Sequence, residues 1–147
     1  MGLLENLRHS YLVEGLTNDE IAAVASVADE MSFAADEDII REGELATEIY
    51  VLLEGKVRVT TSTGEIIARL GPGAVFGELA LFQHDDRTAT VTADTAAVLA
   101  RASASSLNAL IDSNPGAGVK VLRNLGKTLC QRLRSSNVQL EAVLASL

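Results

Sequence analysis

Apolar residues change their spacing along this chain, and each change predicts a different kind of element. Leu3, Leu4, Leu7 and Tyr11 recur at helical intervals, which predicts a short amphipathic helix over residues 2–12. Thr17 then precedes Asn18, Asp19 and Glu20, a capping hydroxyl followed by first-turn acids, with Ile21, Val24, Ala25 and Ala28 on one face of a second helix. From Ser32 the period moves toward two and turn signals crowd in at Gly43, Gly55, Gly64 and Gly71-Pro72-Gly73. Residues 49–53 form a continuous β-favouring run, Val57-Arg58-Val59-Thr60 alternates, and residues 65–70 lead into the Gly-Pro-Gly corner. Residues 88–92 and 96–100 supply two more strands. Short strands separated by glycine turns predict a mainly β fold, an antiparallel β-roll of jelly-roll type with flanking helices.

Beyond the strands the period returns to helical. Ser103 can cap a helix to about Asp112, Ser113-Asn114-Pro115-Gly116 breaks it, and a long helix is expected from about Gly118 toward the C-terminus. Val119, Gly126, Leu133, Leu140 and Leu147 fall seven apart, with Leu122, Leu129, Ser136 and Val143 at the complementary position. This seam either packs entirely on the chain's own β-roll or pairs with the same helix of a second copy, and the second arrangement, a homodimer, is the expectation. One domain over residues 1–147 results, with N-terminal helices in 1–30, the roll in 31–102 and C-terminal helices in 103–147.

Composition fits that picture. A chain of 147 residues and 15.5 kDa can bury roughly two thirds of its unfolded surface. Apolar residues make up 48% and tryptophan is absent, without low-complexity character. The single Cys130 and the lack of zinc-ligand spacing point to a reduced, cytoplasmic setting with Cys130 as a packing residue. Neither a long apolar run nor a basic, apolar N-terminal leader occurs, so no membrane association is expected. The net charge of −8 disfavours nucleic acid as a partner. Residues 1–112 hold seven Lys/Arg against nineteen Asp/Glu, whereas residues 113–147 hold five against Glu141 alone. Those five, Lys120, Arg123, Lys127, Arg132 and Arg134, read as a solvated helix face.

The candidate chemistry lies in residues 76–91. Gly77-Glu78-Leu79-Ala80-Leu81 predicts a helical turn whose first amides lack intrahelical partners, and Arg87 follows Glu78 by nine residues. Free amides and a permanent cation suit a phosphate, whereas Glu78 would repel a bare one. A carboxylate makes sense there if the ligand also offers a donor such as a ribose hydroxyl. Leu70, Val75, Phe76 and Leu79 are candidates for the apolar wall, or equally for ordinary core.

Phe76-Gly77-Glu78-Leu79-Ala80-Leu81 followed by Arg87-Thr88-Ala89-Thr90-Val91 resembles the phosphate-binding cassette of cyclic-nucleotide-binding domains. Such domains occur in bacterial cyclic-AMP receptors, kinase regulatory subunits and gated channels. The resemblance extends upstream through Leu52-Leu53-Glu54-Gly55-Lys56-Val57 and Leu70-Gly71-Pro72-Gly73, with Asp86 standing where members often carry proline. It implies that Arg87 pairs the cyclic phosphate, Glu78 takes the ribose 2′-hydroxyl and the Ala80 amide reaches the phosphate. It also implies cyclic AMP or cyclic GMP as ligand, with no further cofactor. Thr88 can reach the phosphate or a guanine amino group. Ser136 and Asn137 correspond to an adenine-contacting polar pair, although Ser136 also suits a dimer seam. Asp85 and Asp86 weaken phosphate binding if they face the pocket and spare it if they face solvent.

His9 and His84 lie far apart, which argues against a metal site, and His84 reads as a solvated loop residue. Neither a nucleophilic triad nor a nucleotide-hydrolysing phosphate loop is recognisable, so a non-catalytic sensor acting on an unidentified effector is expected. Two alternatives stand beside it. One is a transcription regulator, for which residues beyond Leu147 would have to supply the DNA-reading module. The other is an interaction domain with a vestigial pocket.

Overall fold

The structure, a computed structural model, describes residues 2–83 and 85–145, with no side chains described for residues 136–144. Helix α1 (Leu3–Leu7) is shorter than its apolar spacing predicts, and Tyr11–Val13 forms a separate 3-10 turn. Helix α2 (Asn18–Ser26) begins on a complete capping box: the Thr17 hydroxyl accepts from the Glu20 amide and the Glu20 carboxylate accepts from the Thr17 amide.

Among the described residues eight strands follow: β1 (Ala28–Phe33), β2 (Asp38–Ile40), β3 (Glu48–Glu54), β4 (Val57–Thr60), β5 (Ile66–Leu70), β6 (Val75–Phe76), β7 (Thr90–Ala93) and β8 (Ala97–Ser103). They form two antiparallel sheets, ordered β1-β8-β3-β6 and β2-β7-β4-β5. The expected β-roll with flanking helices is therefore present. Residues 28–30 belong to β1 and not to the N-terminal helical segment: their pairing with Ala100, Arg101 and Ala102 of β8 outweighs the helical spacing that carried α2 toward Ala28.

The two faces of β3 explain its unbroken apolar run. Ile49 and Val51 join one core, against Leu7, Val24, Leu107, Val121 and Leu125 from the helices. Tyr50 and Leu52 join a second core between the sheets, with Val57, Phe76, Val91 and Leu99. A strand buried on both faces loses the apolar-polar alternation that marks a half-exposed one. The Tyr50 and Phe76 rings stack with centroids 5.3 Å apart at the end of the second core.

Ser103 caps α3 (Ala104–Ser113) through its hydroxyl, and α4 (Pro115–Ala145) starts on proline three residues before the predicted Gly118. Ala117, Val121 and Leu125 bury one side of α4 against the roll, while Val119, Leu122 and Leu133 stay exposed. Cys130 is exposed on this helix, contrary to its expected packing role, because the helix turns that position away from the roll. Among the described residues no helix is long and apolar enough to cross a membrane.

Candidate functional site

The cassette residues lie between β6 of the first sheet and β7 of the second. Gly77 adopts φ 74° and leads into a 3-10 turn, Glu78–Leu81. A Cβ at Gly77 would lie 2.9 Å from Arg87 Nη1 and 3.2 Å from the Glu48 carbonyl, so only glycine fits both the backbone conformation and the space. The short helical turn is the one predicted, in its tighter form. Its Ala80 amide donates to the Gly77 carbonyl at 3.2 Å.

Arg87 is held from two sides. Nη1 donates to the Gly77 carbonyl at 3.1 Å and Nη2 to the Glu48 carbonyl at 2.6 Å, which fixes the plane of the guanidinium. Its backbone is tied to the preceding loop: the Arg87 amide donates to Glu44 O and the Gly43 amide to Arg87 O. Burial pulls the guanidinium below arginine's ordinary value, opposed by Tyr50, Glu48, Glu78 and Glu44, and the group remains a cation. Among the described residues, a fork with five donors retains three beyond these two carbonyl contacts.

A cavity of about 470 Å³ opens beside this arginine. Ile40, Val59, Leu70, Phe76 and Val91 form its apolar wall, with Gly77, Glu78, Leu79, Arg87, Thr88 and Ala89 across from them. Leu79 and Thr88 are exposed at its surface. Of the expected site residues, Ala80 is fully buried behind the cavity and does not line it. The candidate wall residue Val75 lies in the helix-facing core and borders a second cavity of about 390 Å³ instead, because alternation on β6 sends Phe76 and Val75 to opposite faces. The side chains of Ser136 and Asn137, and His84 altogether, lie outside the described residues.

Arg132 is the member that sequence reasoning placed on a solvated face. From α4 it reaches the cassette: Nη1 pairs with the Glu78 carboxylate, and Nη2 donates to the Val75 carbonyl. Glu78 is 4% exposed, so its charge is compensated by a residue from the C-terminal helix. Lys120 likewise departs from a solvated role, pairing with Glu20 at 2.7 Å. The signal for Arg132 was its position seven residues after Leu125, on the stripe of α4 that faces the roll. Ser135, one turn on, also borders the cavity. Among the described residues no group of three or more His, Cys, Asp or Glu side chains could hold a metal ion.

Glutaminase 2 of Bradyrhizobium diazoefficiens is 31% identical over 140 residues, which are 95% of this chain and 22% of that protein. The cyclic AMP receptor protein of Thermus thermophilus is 30% identical over 92% of this chain and 62% of its own length. The chain thus spans about a fifth of the glutaminase and under two thirds of the receptor. Among solved structures, the N-terminal domain of a transcriptional regulator from Streptomyces coelicolor superposes with a TM-score of 0.72 at 30% identity, covering 90% of this chain and 94% of that one. The family model of the cyclic nucleotide-binding domain matches residues 30–114, more than half of the chain and all of the roll from β2 through α3, and the chain therefore belongs to the cyclic nucleotide-binding domain family.

Proposed function

We propose that this chain is a non-catalytic sensor that binds cyclic AMP or cyclic GMP in the cavity beside Arg87 and passes the event to α4. The observation that carries this reading is the pairing of Arg132 with Glu78. A helix that leaves Val119, Leu122 and Leu133 exposed closes on the cavity-lining carboxylate that would accept a ribose hydroxyl. In this reading the cyclic phosphate takes the free donors of Arg87, and Phe76, Gly77, Leu79 and Ala89 shape the pocket around the ribose and phosphate. The amide at Ala80 joins the phosphate contact if the short turn relaxes its bond to Gly77.

A ligand hydroxyl on Glu78 shares or displaces the Arg132 contact, so bound and free states differ in how α4 is held. Binding shifts the balance between two helix positions only by its differential affinity for them. The exposed apolar side of α4 then supplies the output, a second copy of the chain or an effector protein. The base is read by Thr88 from the cassette and by Ser136 and Asn137 from α4, which leaves cyclic AMP and cyclic GMP both as ligands to test; no other cofactor is required. The reading places the sensor in the cytoplasm.

Calorimetric titration with both nucleotides tests this directly. Saturable binding of at least one, with stability that increases by RT ln(1 + [L]/Kd) and a thermal midpoint that rises accordingly, is the expected result. Binding of neither leaves an interaction domain with a vestigial pocket. A second reading, that the sensor forms part of a transcription regulator, is favoured by the likeness to the Streptomyces domain. Salt-sensitive, ligand-dependent binding to duplex DNA by a longer chain would establish it.

A further inference from the structure

Two carboxylates at the cavity rim have no task in that reading. Asp85 and Asp86 both line the cavity and both are exposed. Neither side chain has an ion-pair or hydrogen-bond partner among the described residues. Their backbones are nonetheless fixed. The Ala46 amide donates to Asp85 O at 3.0 Å, and Asp86 forms a β-bridge with Leu45. The pair is therefore anchored immediately before Arg87, whose own amide is bonded to Glu44 O at 2.7 Å.

The charges around the cavity do not balance. Glu78, Asp85 and Asp86 border it with Arg87 and Arg132. Before a ligand enters, Arg132 is paired with Glu78, so among the described residues Arg87 is the lining cation not already paired with a carboxylate, and Asp85 and Asp86 are uncompensated. A cyclic phosphodiester carries a single negative charge, which Arg87 matches. A noncyclic phosphomonoester carries about −1.5 to −2 at pH 7, and its surplus meets carboxylates instead of a second cation. At the rim of a solvated cavity such charges interact within the screening length of about 10 Å.

We propose that Asp85 and Asp86 act as a charge filter, selecting singly charged cyclic nucleotides against noncyclic 5′-nucleoside monophosphates of the same base and ribose. The inference rests on the cavity being a nucleotide site. It gives these residues a specificity role, and it accounts for an acid at position 86 at some cost in affinity for the cyclic ligand too.

The test compares dissociation constants of cyclic AMP, cyclic GMP, 5′-AMP and 5′-GMP for the full chain and for Asp85→Asn, Asp86→Asn and the double variant, at low salt. With each carboxylate weakening a unit charge by about two- to threefold, the double variant should bind the cyclic ligand about four- to ninefold tighter and the monophosphate about eight- to eightyfold tighter. Selectivity then falls about two- to ninefold, and the charge-conserving pair Asp85→Glu and Asp86→Glu keeps the original ratio. Binding of the cyclic ligand by every variant shows that each is folded. An unchanged or rising ratio in the double variant, with cyclic binding intact, overturns the filter and leaves the site standing. Failure of the unaltered chain to bind either cyclic nucleotide overturns both.

Discussion

Arg132 of α4 pairs with Glu78 of the cassette across 54 residues of sequence, and this contact joins the C-terminal helix to the cavity. Removing the arginine alone leaves a buried carboxylate without its cation. Arg132→Ala should therefore lower unfolding stability by about 1–3 kcal/mol. Glu78→Gln in the same background should recover part of that loss, because the amide needs no counter-charge. Urea denaturation of the two single variants and the double variant gives the coupling energy; strictly additive losses would show that the pair contributes nothing as a pair.

Arg87 is bound by geometry as well as by charge. Arg87→Ala should weaken cyclic-nucleotide binding by about 1.5–3 kcal/mol, roughly ten- to 150-fold in affinity, and move the thermal shift to correspondingly higher nucleotide concentration. Arg87→Lys keeps a cation but cannot donate to Gly77 and Glu48 while presenting a planar fork, so it should restore only part of the binding. Calorimetry on both variants separates charge from geometry. Full recovery by lysine would reduce the role of the fork to that of a point charge.

Gly77 supports Arg87 from the other side. Gly77→Ala forces a Cβ into a left-handed backbone position and to within 2.9 Å of the guanidinium. The expected cost is about 1–2 kcal/mol in stability, together with a weaker nucleotide response as Arg87 is pushed aside. Thermal denaturation and nucleotide titration of the variant measure the two effects separately, and a binding constant equal to the parent's would disprove the steric link.

The residues that could be read from sequence were those whose roles are local. Gly77, Glu78 and Arg87 share one short segment, so spacing sufficed to bring them to one cavity, and the Thr17 cap needs only four residues. Strand β3 was legible because a run buried on both faces is unusually apolar. Strand β1 was not: its burial alternates only weakly, and its pairing with β8 is a contact about seventy residues distant. Arg132 was lost for a similar reason. A basic residue on a helix is ordinarily solvated, and only the folded position of Glu78 gives it a partner.

Glu20 has two tasks, capping α2 and pairing with Lys120 of α4. The Lys120 contact, then the Thr17 amide, holds its carboxyl below the ordinary glutamate value of 4.5. A depressed carboxyl contributes stability above its unfolded value, and that contribution disappears as pH falls through the folded one. Glu20→Gln keeps the capping geometry and removes the charge. The parent should thus be more stable than Glu20→Gln near pH 7, with the difference shrinking as pH falls below the ordinary glutamate value and through the lowered folded one. Urea midpoints across that range test it; a gap that persists in acid would assign the effect to packing.

The exposed side of α4 carries the last prediction. Val119, Leu122 and Leu133 are 47%, 37% and 64% exposed while Ala117, Val121 and Leu125 bury the opposite side, so the heptad seam is not consumed by the roll. Two such seams brought together would bury apolar surface worth about 25 cal/mol per Å², which is the driving force for the expected dimer. Leu122→Asp with Leu133→Asp places charges on that seam and touches none of the core contacts. The doubly substituted chain should sediment as a monomer and keep its β-roll, with a thermal midpoint that no longer depends on protein concentration. If the parent chain is itself monomeric with and without nucleotide at high concentration, the seam serves a different partner. Because Glu78 and Arg132 belong to the same helix-to-cavity connection, the association constant of the parent should also change on nucleotide binding, and by the same factor the nucleotide affinity should change on dimerisation.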